Sequence, residues 1–316
     1  MKVSVIIPVY NAATFLERAV NSALQHPEVK ELLLIEDGSN DNSLAICKEL
    51  AAKHKFIKVL QHPKGENRGA GASRNLGITN ASEDYIAFLD ADDYYTEIRF
   101  QKEKEIFSEQ PEADGVYGAI GVEYLDKTGA EAWEAKGFDE ESLTTVNKPI
   151  DPNHLFEYLI GLNNPEGYKG YFSIDGLTLR RESLLDAKVL FDSSLRLHQD
   201  TVFMWQLSYC LKLFTGEFQK PIANRGVHSQ NRFIHEKELH KSRSKQYKAL
   251  RDWSIEEKLD KKIITRFHQK YFTHFIASKK KIQVPFSYLT LLSSDSYTRN
   301  SFGKKQLKFI WLFTFH

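Results

Sequence analysis

Tyr85-Ile86-Ala87-Phe88-Leu89-Asp90-Ala91-Asp92-Asp93 holds the pattern on which the fold turns. A short apolar run without polar alternation reads as a strand covered on both faces, as in a parallel sheet between helices. Carboxylates follow it at once. Alternate residues of an extended segment project to the same side, so Asp90 and Asp92 can face one ligand. A solvated acidic turn that closes the strand is the plainer alternative.

The same grammar recurs upstream. Val3 to Val9 is an apolar run ended by Tyr10-Asn11. Apolar positions at helical spacing follow, at Phe15, Leu16, Ala19, Val20, Ala23 and Leu24, and predict a helix over 14–26. Leu32 to Ile35 is a second strand, ended by Glu36-Asp37-Gly38, and Ser39 or Asp41 can cap a helix running to about Lys53. Phe56 to Leu60 is a third strand, and 69–79 reads as a short helix. In an open parallel sheet, ligands bind beyond the carboxyl ends of the strands. The polar strand ends would therefore crowd one crevice. Carboxylates that close repel unless a cation or a donor compensates them. Hard oxygen ligands suit Mg2+ or Mn2+ together with an anionic ligand.

Beyond residue 100 the pattern loosens. A charged helix is expected over 97–110, a strand over 114–125 and a polar loop over 126–150. Helices are expected over 153–162 and 200–214, with strand-like Ile174 to Leu179 between them. After 236 the chain reads as basic amphipathic helices. No internal repeat or low-complexity tract interrupts it.

Taken together, four segments resemble the successive signatures of family 2 glycosyltransferases. They are Val3-Ser4-Val5-Ile6-Ile7-Pro8-Val9-Tyr10-Asn11, Ile35-Glu36-Asp37-Gly38-Ser39-Asn40-Asp41, Asn67-Arg68-Gly69 with Ser73-Arg74-Asn75-Leu76-Gly77, and Phe88-Leu89-Asp90-Ala91-Asp92-Asp93. Order and spacing match over about 95 residues. The resemblance implies an α/β fold of the GT-A (Rossmann-like) type, with a mostly parallel sheet between helices. It also implies an inverting transferase of the bacterial surface-polysaccharide kind. Such an enzyme takes a nucleotide-diphospho-sugar, a UDP-sugar for preference, and a divalent cation, Mn2+ or Mg2+.

Residue roles follow from the same resemblance. Pro8, Tyr10 and Asn11 would line the nucleotide pocket, and Asp37 would accept a hydrogen bond from the base, such as uracil N3–H. Asp90, with Ala91 beside it, would bind the ribose or sugar. Asp92 would coordinate the metal that bridges the diphosphate. Arg74 would lie near the sugar or phosphates; a helix-surface ion pair is its alternative. Asn75 is either part of the signature's chemistry or a structural helix residue.

Leu197-His198-Gln199-Asp200-Thr201-Val202-Phe203 stands where the family carries a Glu-Asp pair opening a helix. The Asp is kept and the Glu is replaced by Gln199. Asp200 is thereby expected as the catalytic base, with a helix N-cap as the alternative reading. Asn224-Arg225-Gly226-Val227-His228-Ser229 resembles a downstream segment whose His can approach the metal or diphosphate, which makes His228 a candidate second ligand and otherwise a surface His. Asn163, Asn164, Glu166 and Asp175 are candidate acceptor contacts.

Composition bounds these readings. The chain has 316 residues, 41% hydrophobic and 27% charged, in the range of a globular protein with a sizeable core. Collagen-like, low-complexity and largely disordered classes are excluded. The net charge of +1 sets up no global field for nucleic acid. The balance hides a split, because residues 241–316 carry 17 Lys/Arg against 5 Asp/Glu. The first 240 residues carry 26 against 37. The expected organisation is a catalytic domain over 1–235 and a basic helical region over 236–316. Within the first, 1–100 would bind the nucleotide-sugar and 101–235 would supply the acceptor site and base.

Cys47 and Cys210 make no disulfide framework. The apolar start is too short for a signal peptide, and no run approaches the roughly 18 residues of a membrane span. A cytoplasmic protein is expected, peripheral on the inner face of the plasma membrane if the lysines and interleaved aromatics of the tail meet anionic lipid. The alternative is that those aromatics pack onto the catalytic domain. A glycan or a lipid-linked sugar is the expected acceptor.

Rival functions make different demands on these residues. A sugar nucleotidyltransferase would need a glycine-rich phosphate loop after the first strand, where Pro8-Val9-Tyr10-Asn11 stands. A non-catalytic carbohydrate-binding protein would need neither Asp200 nor a nucleotide pocket.

Overall fold

The computed structural model describes residues 1–135, 137, 143, 146–164, 166–167, 170–231 and 239–279. The chain divides into two compact units, Met1–His235 and Glu236–His316.

The first unit opens with β1 (Val3–Val9), α1 (Leu16–Leu24), β2 (Val29–Glu36), α2 (Ser43–Lys53), β3 (Ile57–Gln61), α3 (Ala70–Asn80) and β4 (Tyr85–Phe88). The expected strand–helix alternation holds, with boundaries displaced by a few residues. Its physical reason shows in the packing. Val3, Val5, Ile7 and Val9 of β1 join Leu16, Ala19, Val20 and Ala23 of α1 in one apolar cluster. Ile6 points the other way, into a cluster with Leu33, Ile35, Ile78 and Phe88. A strand buried on both faces is apolar at most positions, which removes the alternation of a half-exposed strand; the exception in β1, buried Ser4, donates its hydroxyl to Glu31.

Then come β5 (Tyr94–Tyr95), α4 (Gln101–Glu109), β6 (Gly115–Tyr117), β7 (Ile120–Tyr124), α5 (Lys127–Glu134), α6 (Pro152–Leu159), β8 (Leu177–Arg180), α7 (Arg181–Ala187), α8 (Gln199–Cys210), β9 (Leu213–Thr215) and β10 (Ala223–Val227). The main sheet has the order β3-β2-β1-β4-β8-β6-β9. β1 runs parallel to both β2 and β4, and β2 to β3. β8 is antiparallel to β4 and to β6, and β6 pairs parallel with β9. This is the mostly parallel, Rossmann-like arrangement expected. A small sheet of order β5-β10-β7 stands apart from it.

Three expectations need correction. The single strand over 114–125 is two, β6 and β7, in different sheets, separated at Gly118-Ala119. A Cβ at Gly118 would fall 2.9 Å from the Glu217 backbone oxygen, closer than Cβ atoms come, which favours glycine there. The helix over 200–214 ends at Cys210, and 213–215 forms β9 at the sheet edge instead. The polar loop over 126–150 begins with α5. Asp126 caps that helix by accepting Gly129 N–H at 2.7 Å, and Trp133 buries the one large apolar face it has.

In the second unit, α9 (Leu239–Glu256) packs against α10 (Lys261–Ala277) as a hairpin. Asp260 caps α10 by accepting Lys262 N–H at 2.7 Å. Leu250, Phe267, Tyr271, Phe272 and Ile276 are buried, while Lys241, Lys245, Lys248, Lys261 and Lys262 are exposed. The expected basic amphipathic helices are thus formed over 239–277. Lys280, Lys281, Lys304, Lys305 and the apolar run over 309–315 lie outside the described residues. Among the described residues, no helix is long and apolar enough to cross a membrane.

Candidate active site

The chain leaves β1 toward β2 on one side and later returns to β4 on the other, so β1 and β4 flank a topological switch point. A cavity of about 530 Å³ opens there. Pro8, Tyr10, Asn11, Asp37, Arg74, Asp90, Ala91, Asp92, Asp200 and His228 all border it. Ten of the residues singled out in the sequence thus share one space, while Asn75, Asn163, Asn164, Glu166 and Asp175 do not border it.

The loops after β1 and β2 are tied together by their own polar side chains. Asn11 adopts a left-handed backbone, φ 50°, and its side-chain Oδ1 accepts Asn40 N–H at 2.8 Å. Its own N–H donates to Ser39 Oγ at 3.1 Å. Asp41 accepts N–H groups from both Ala13 and Ser43, and so caps α2 although Asn42 occupies the N-cap position. Buried Asp37 accepts Arg68 N–H at 2.7 Å and Gly69 N–H at 2.8 Å. It therefore anchors the start of α3 as well as bordering the cavity. Each of its oxygens retains a second lone pair for a ligand donor.

Arg74 and Asp90 form an ion pair, with the guanidinium buried and Asp90 half exposed. The surface ion pair that was the alternative for Arg74 is thus a buried one at the cavity wall. Burial works against the Arg74 charge, but Asp90, Asp200 and Asp175 outweigh it and hold the cation firmly protonated. Asp175 differs from expectation. It does not border the cavity. Instead its carboxylate accepts Asp90 N–H at 2.8 Å from inside the core. Burial, then the Asp90 charge, pushes Asp175 up to about 6. Burial, then Asp175 and Asp92, holds Asp93 well above the usual carboxylate range. Gly226 N–H donates to Asp93 at 2.9 Å, linking β10 to the acidic loop.

Asp92 Oδ2 lies 3.2 Å from His228 Nε2 and 3.1 Å from Asn231 Nδ2. The His228 ring stacks on Phe15 with centroids 4.3 Å apart. The corrected segment over 126–134 explains how that His is held. Asp126 caps α5 with one oxygen and accepts Ser229 N–H and Oγ–H with the other.

Two ligand atoms at right angles on one ion, each at about 2.1 Å, lie about 3 Å apart. The Asp92–His228 pair has that spacing, and both groups face the cavity, so the donor set fits a divalent cation. Carboxylate oxygens of Asp90, Asp93 and Asp175 also come within 4.8 Å of one another. Arg74 and Arg225 already offset charge in that trio, and Asp93 and Asp175 are buried. The Asp92–His228 pair is the better placed to meet a ligand.

Asp200 is the second residue of α8, whose N-cap position is His198 in a left-handed conformation, φ 61°. A non-glycine residue there is strained. The N-cap reading of Asp200 therefore does not hold in its simple form. Its carboxylate lies in the first turn of α8 and accepts Thr201 N–H at 2.8 Å. Gln199, where the family carries Glu, is buried against α3. A Cβ at Gly71 would fall 2.1 Å from its Oε1.

Phe15, Arg225 and Asn231 also line the cavity and carried no functional signal of their own, and Asp93 lines it as the last residue of the acidic run. Arg225 reaches the cavity through β10, which pairs with β5 and β7 over about a hundred residues or more of chain. Only its position within a quoted segment could have flagged it.

Sheet order, switch-point cavity and acidic loop define a fold of the GT-A class. A family model described as "Glycosyl transferase family 2" matches residues 4–175, more than half of the chain, and the chain belongs to that family. Among curated proteins it is 30% identical over 210 residues to "Minor teichoic acid biosynthesis protein GgaA" of Bacillus subtilis, covering 65% of this chain and 42% of that protein. It is 40% identical over 102 residues to an uncharacterized glycosyltransferase of Haemophilus influenzae, covering 32% of this chain and 40% of that one. The match thus spans about two fifths of either relative. Among solved structures, S. aureus TarS 1-349 in complex with UDP-GlcNAc superposes with a TM-score of 0.66 at 18% identity, over 93% of this chain and 80% of that one. That likeness shows a shared fold.

Proposed function

We propose that this protein transfers a sugar, with inversion, from a UDP-sugar to a hydroxyl of a glycan or lipid-linked acceptor, with a divalent cation bound, in the making of a bacterial surface polymer. The observation that carries the reading is the single cavity bordered by all ten residues above. The surface-polymer assignment draws on the teichoic acid relative, and the UDP-sugar on TarS structures solved with UDP-GlcNAc and with UDP.

The chain's own residues divide the work. Asp37 and the Pro8–Asn11 loop receive the nucleoside. Arg74, paired with Asp90, keeps a fixed positive charge at the cavity wall where diphosphate would gather. Asp92 and His228 would hold the cation. When bound, that cation supplies Lewis-acid stabilisation of the departing diphosphate. Asp200 accepts the proton of the acceptor hydroxyl as it attacks. The basic hairpin of α9 and α10 offers a peripheral contact to an anionic membrane on the cytoplasmic side. Co-sedimentation of the full chain with phosphatidylglycerol vesicles, but not with phosphatidylcholine vesicles, is the expected result.

A panel of UDP-, GDP- and dTDP-sugars tests the central reading, by thermal shift and by nucleoside diphosphate release, with and without Mn2+. Cation-dependent stabilisation by UDP and UDP release from at least one UDP-sugar are expected. Absence of binding and release across the panel defeats the proposal.

A further inference from the structure

We propose that Asn75 is a positioning residue for the base: it fixes Phe191, and the Phe191–Phe203 stack then sets the direction from which Asp200 meets the acceptor hydroxyl. The inference rests on the transfer reaction proposed above and on Asp200 as its base.

Asn75 lies on α3 and is half buried. Its Nδ2 donates to the Phe191 carbonyl at 2.8 Å, and its Oδ1 accepts Phe191 N–H at 2.9 Å. One side-chain amide thus satisfies both backbone groups of a residue 116 positions away. A two-point clamp of this kind permits neither sliding nor rotation of the Phe191 backbone. Phe191 is buried, and its ring stacks on Phe203 with centroids 3.8 Å apart and an interplanar angle of 15°.

Phe203 belongs to α8, three residues after Asp200, and residues three apart share a helix face. Turning α8 about its axis would break the stack, so the stack fixes the azimuth of the first turn and of the carboxylate on it. Two more contacts lie on the same seam. Gln199 is pressed against Gly71, and Arg196 donates to Asn67 Oδ1 at 2.9 Å. Residues 67–75 therefore grip residues 191–199 immediately before the base.

The residue type matters. Aspartate at 75 would set a carboxylate against the Phe191 carbonyl, and an apolar side chain would leave a buried N–H and C=O unpaired. Asparagine supplies one donor and one acceptor in a plane.

The test uses the full chain and the UDP-sugar that it turns over fastest in the panel, with water as acceptor, following UDP release. Asn75→Ala and, as a second route to the same displacement, Phe203→Leu are compared with the unaltered chain and in an Asp200→Asn background. A misplacement of about 1 Å can cost about 100-fold in rate. A kcat loss of about 10–100-fold is expected for either variant, with calorimetric UDP affinity within about twofold. In the Asp200→Asn background the further loss should vanish, because residues acting as a unit are not additive. Parallel loss of kcat and UDP affinity, or the full loss repeated in the Asp200→Asn background, overturns the inference, and unchanged kcat in both variants does so as well. No turnover by the unaltered chain across the panel, or near-normal turnover by Asp200→Asn, overturns the function reading and takes this inference with it. Collapse of Asp200→Asn beside a normal Asn75→Ala sinks the positioning role alone.

Discussion

Two arginines of the first unit are buried beside a carboxylate, and their partners differ. Arg74 pairs with Asp90, whose side chain is 36% exposed and borders the cavity. Arg99 pairs with Glu103, whose side chain is 2% exposed. Arg99 also donates to the Leu177 carbonyl at 3.2 Å and to Thr178 Oγ1 at 3.1 Å, joining the turn before α4 to β8. Burial pushes Glu103 up to about 7 despite the guanidinium beside it. A buried pair is weak evidence of net stability, because desolvation offsets attraction. What separates the pairs is where the anion opens. At the cavity a fixed cation backs carboxylates that a ligand can reach. In the core the same chemistry is sealed and can act only on the fold.

The contrast predicts that changes at the cavity acids alter turnover and leave the fold, while changes at the sealed pair do the reverse. The largest effect falls on Asp200, whose charge helps hold Arg74 protonated. Asp200→Asn should lower transfer by about 100- to 10,000-fold, the range of general base catalysis, with little change in melting temperature or UDP affinity. Turnover near that of the unaltered chain removes Asp200 as the base. Arg99→Met comes next. At about pH 8, above the Glu103 value of about 7, leaving that carboxyl buried without its cation costs about 3–5 kcal/mol, measured by urea unfolding, while UDP affinity of the folded protein stays put. Arg99→Met with Glu103→Leu should recover most of the loss. Weakened UDP binding at full stability in Arg99→Met would erase the contrast.

The cavity side of this contrast was legible in the sequence because its residues end apolar strands. Tyr10-Asn11, Asp37 and Asp90–Asp93 each follow a run buried on both faces, and parallel order alone gathers such ends. Asp200 was marked only by the resemblance, which sets an Asp at the opening of that helix. Arg99 and Glu103 were not, since a charged pair four residues apart on a helix looks the same whether solvated or sealed. The face of α4 is decided by β8, nearly eighty residues on. β10 was unread for a related reason. Ala223-Asn224-Arg225-Gly226-Val227 has little strand character, and its pairing with β5 and β7 is wholly non-local. α5 escaped because two turns with a single large apolar residue, Trp133, leave almost no period to detect.

A smaller effect is expected at Asp92. Asp92→Ala should weaken cation-dependent UDP binding by about 10- to 100-fold, the scale on which metal-site partners act, with the melting temperature of the unliganded protein nearly unchanged. Calorimetry with and without Mn2+ decides it. Equal UDP affinity in both conditions for the unaltered chain contradicts the assignment of Asp92 and His228 as cation holders.

The smallest effect is a pH dependence that belongs to the sealed pair. Glu103 titrates at 4.5 when unperturbed and at about 7 in the fold, with burial as the main cause. A group whose pKa is raised on folding adds stability that is complete below its unfolded pKa and is lost as pH rises through the folded value. The contribution of Glu103 therefore fades between about pH 4.5 and about pH 7. Asp175, raised to about 6, acts in the same direction. His26, lowered to about 4 by burial and then Arg99, acts in the opposite one, adding stability as pH rises. Those groups remain in Glu103→Gln, so the difference between that variant and the unaltered chain isolates Glu103. Urea midpoints at about pH 5 and about pH 8 should show the unaltered chain losing ground to the variant as pH rises. A difference that does not move with pH means that burial does not raise the Glu103 carboxyl, and it overturns this pH dependence.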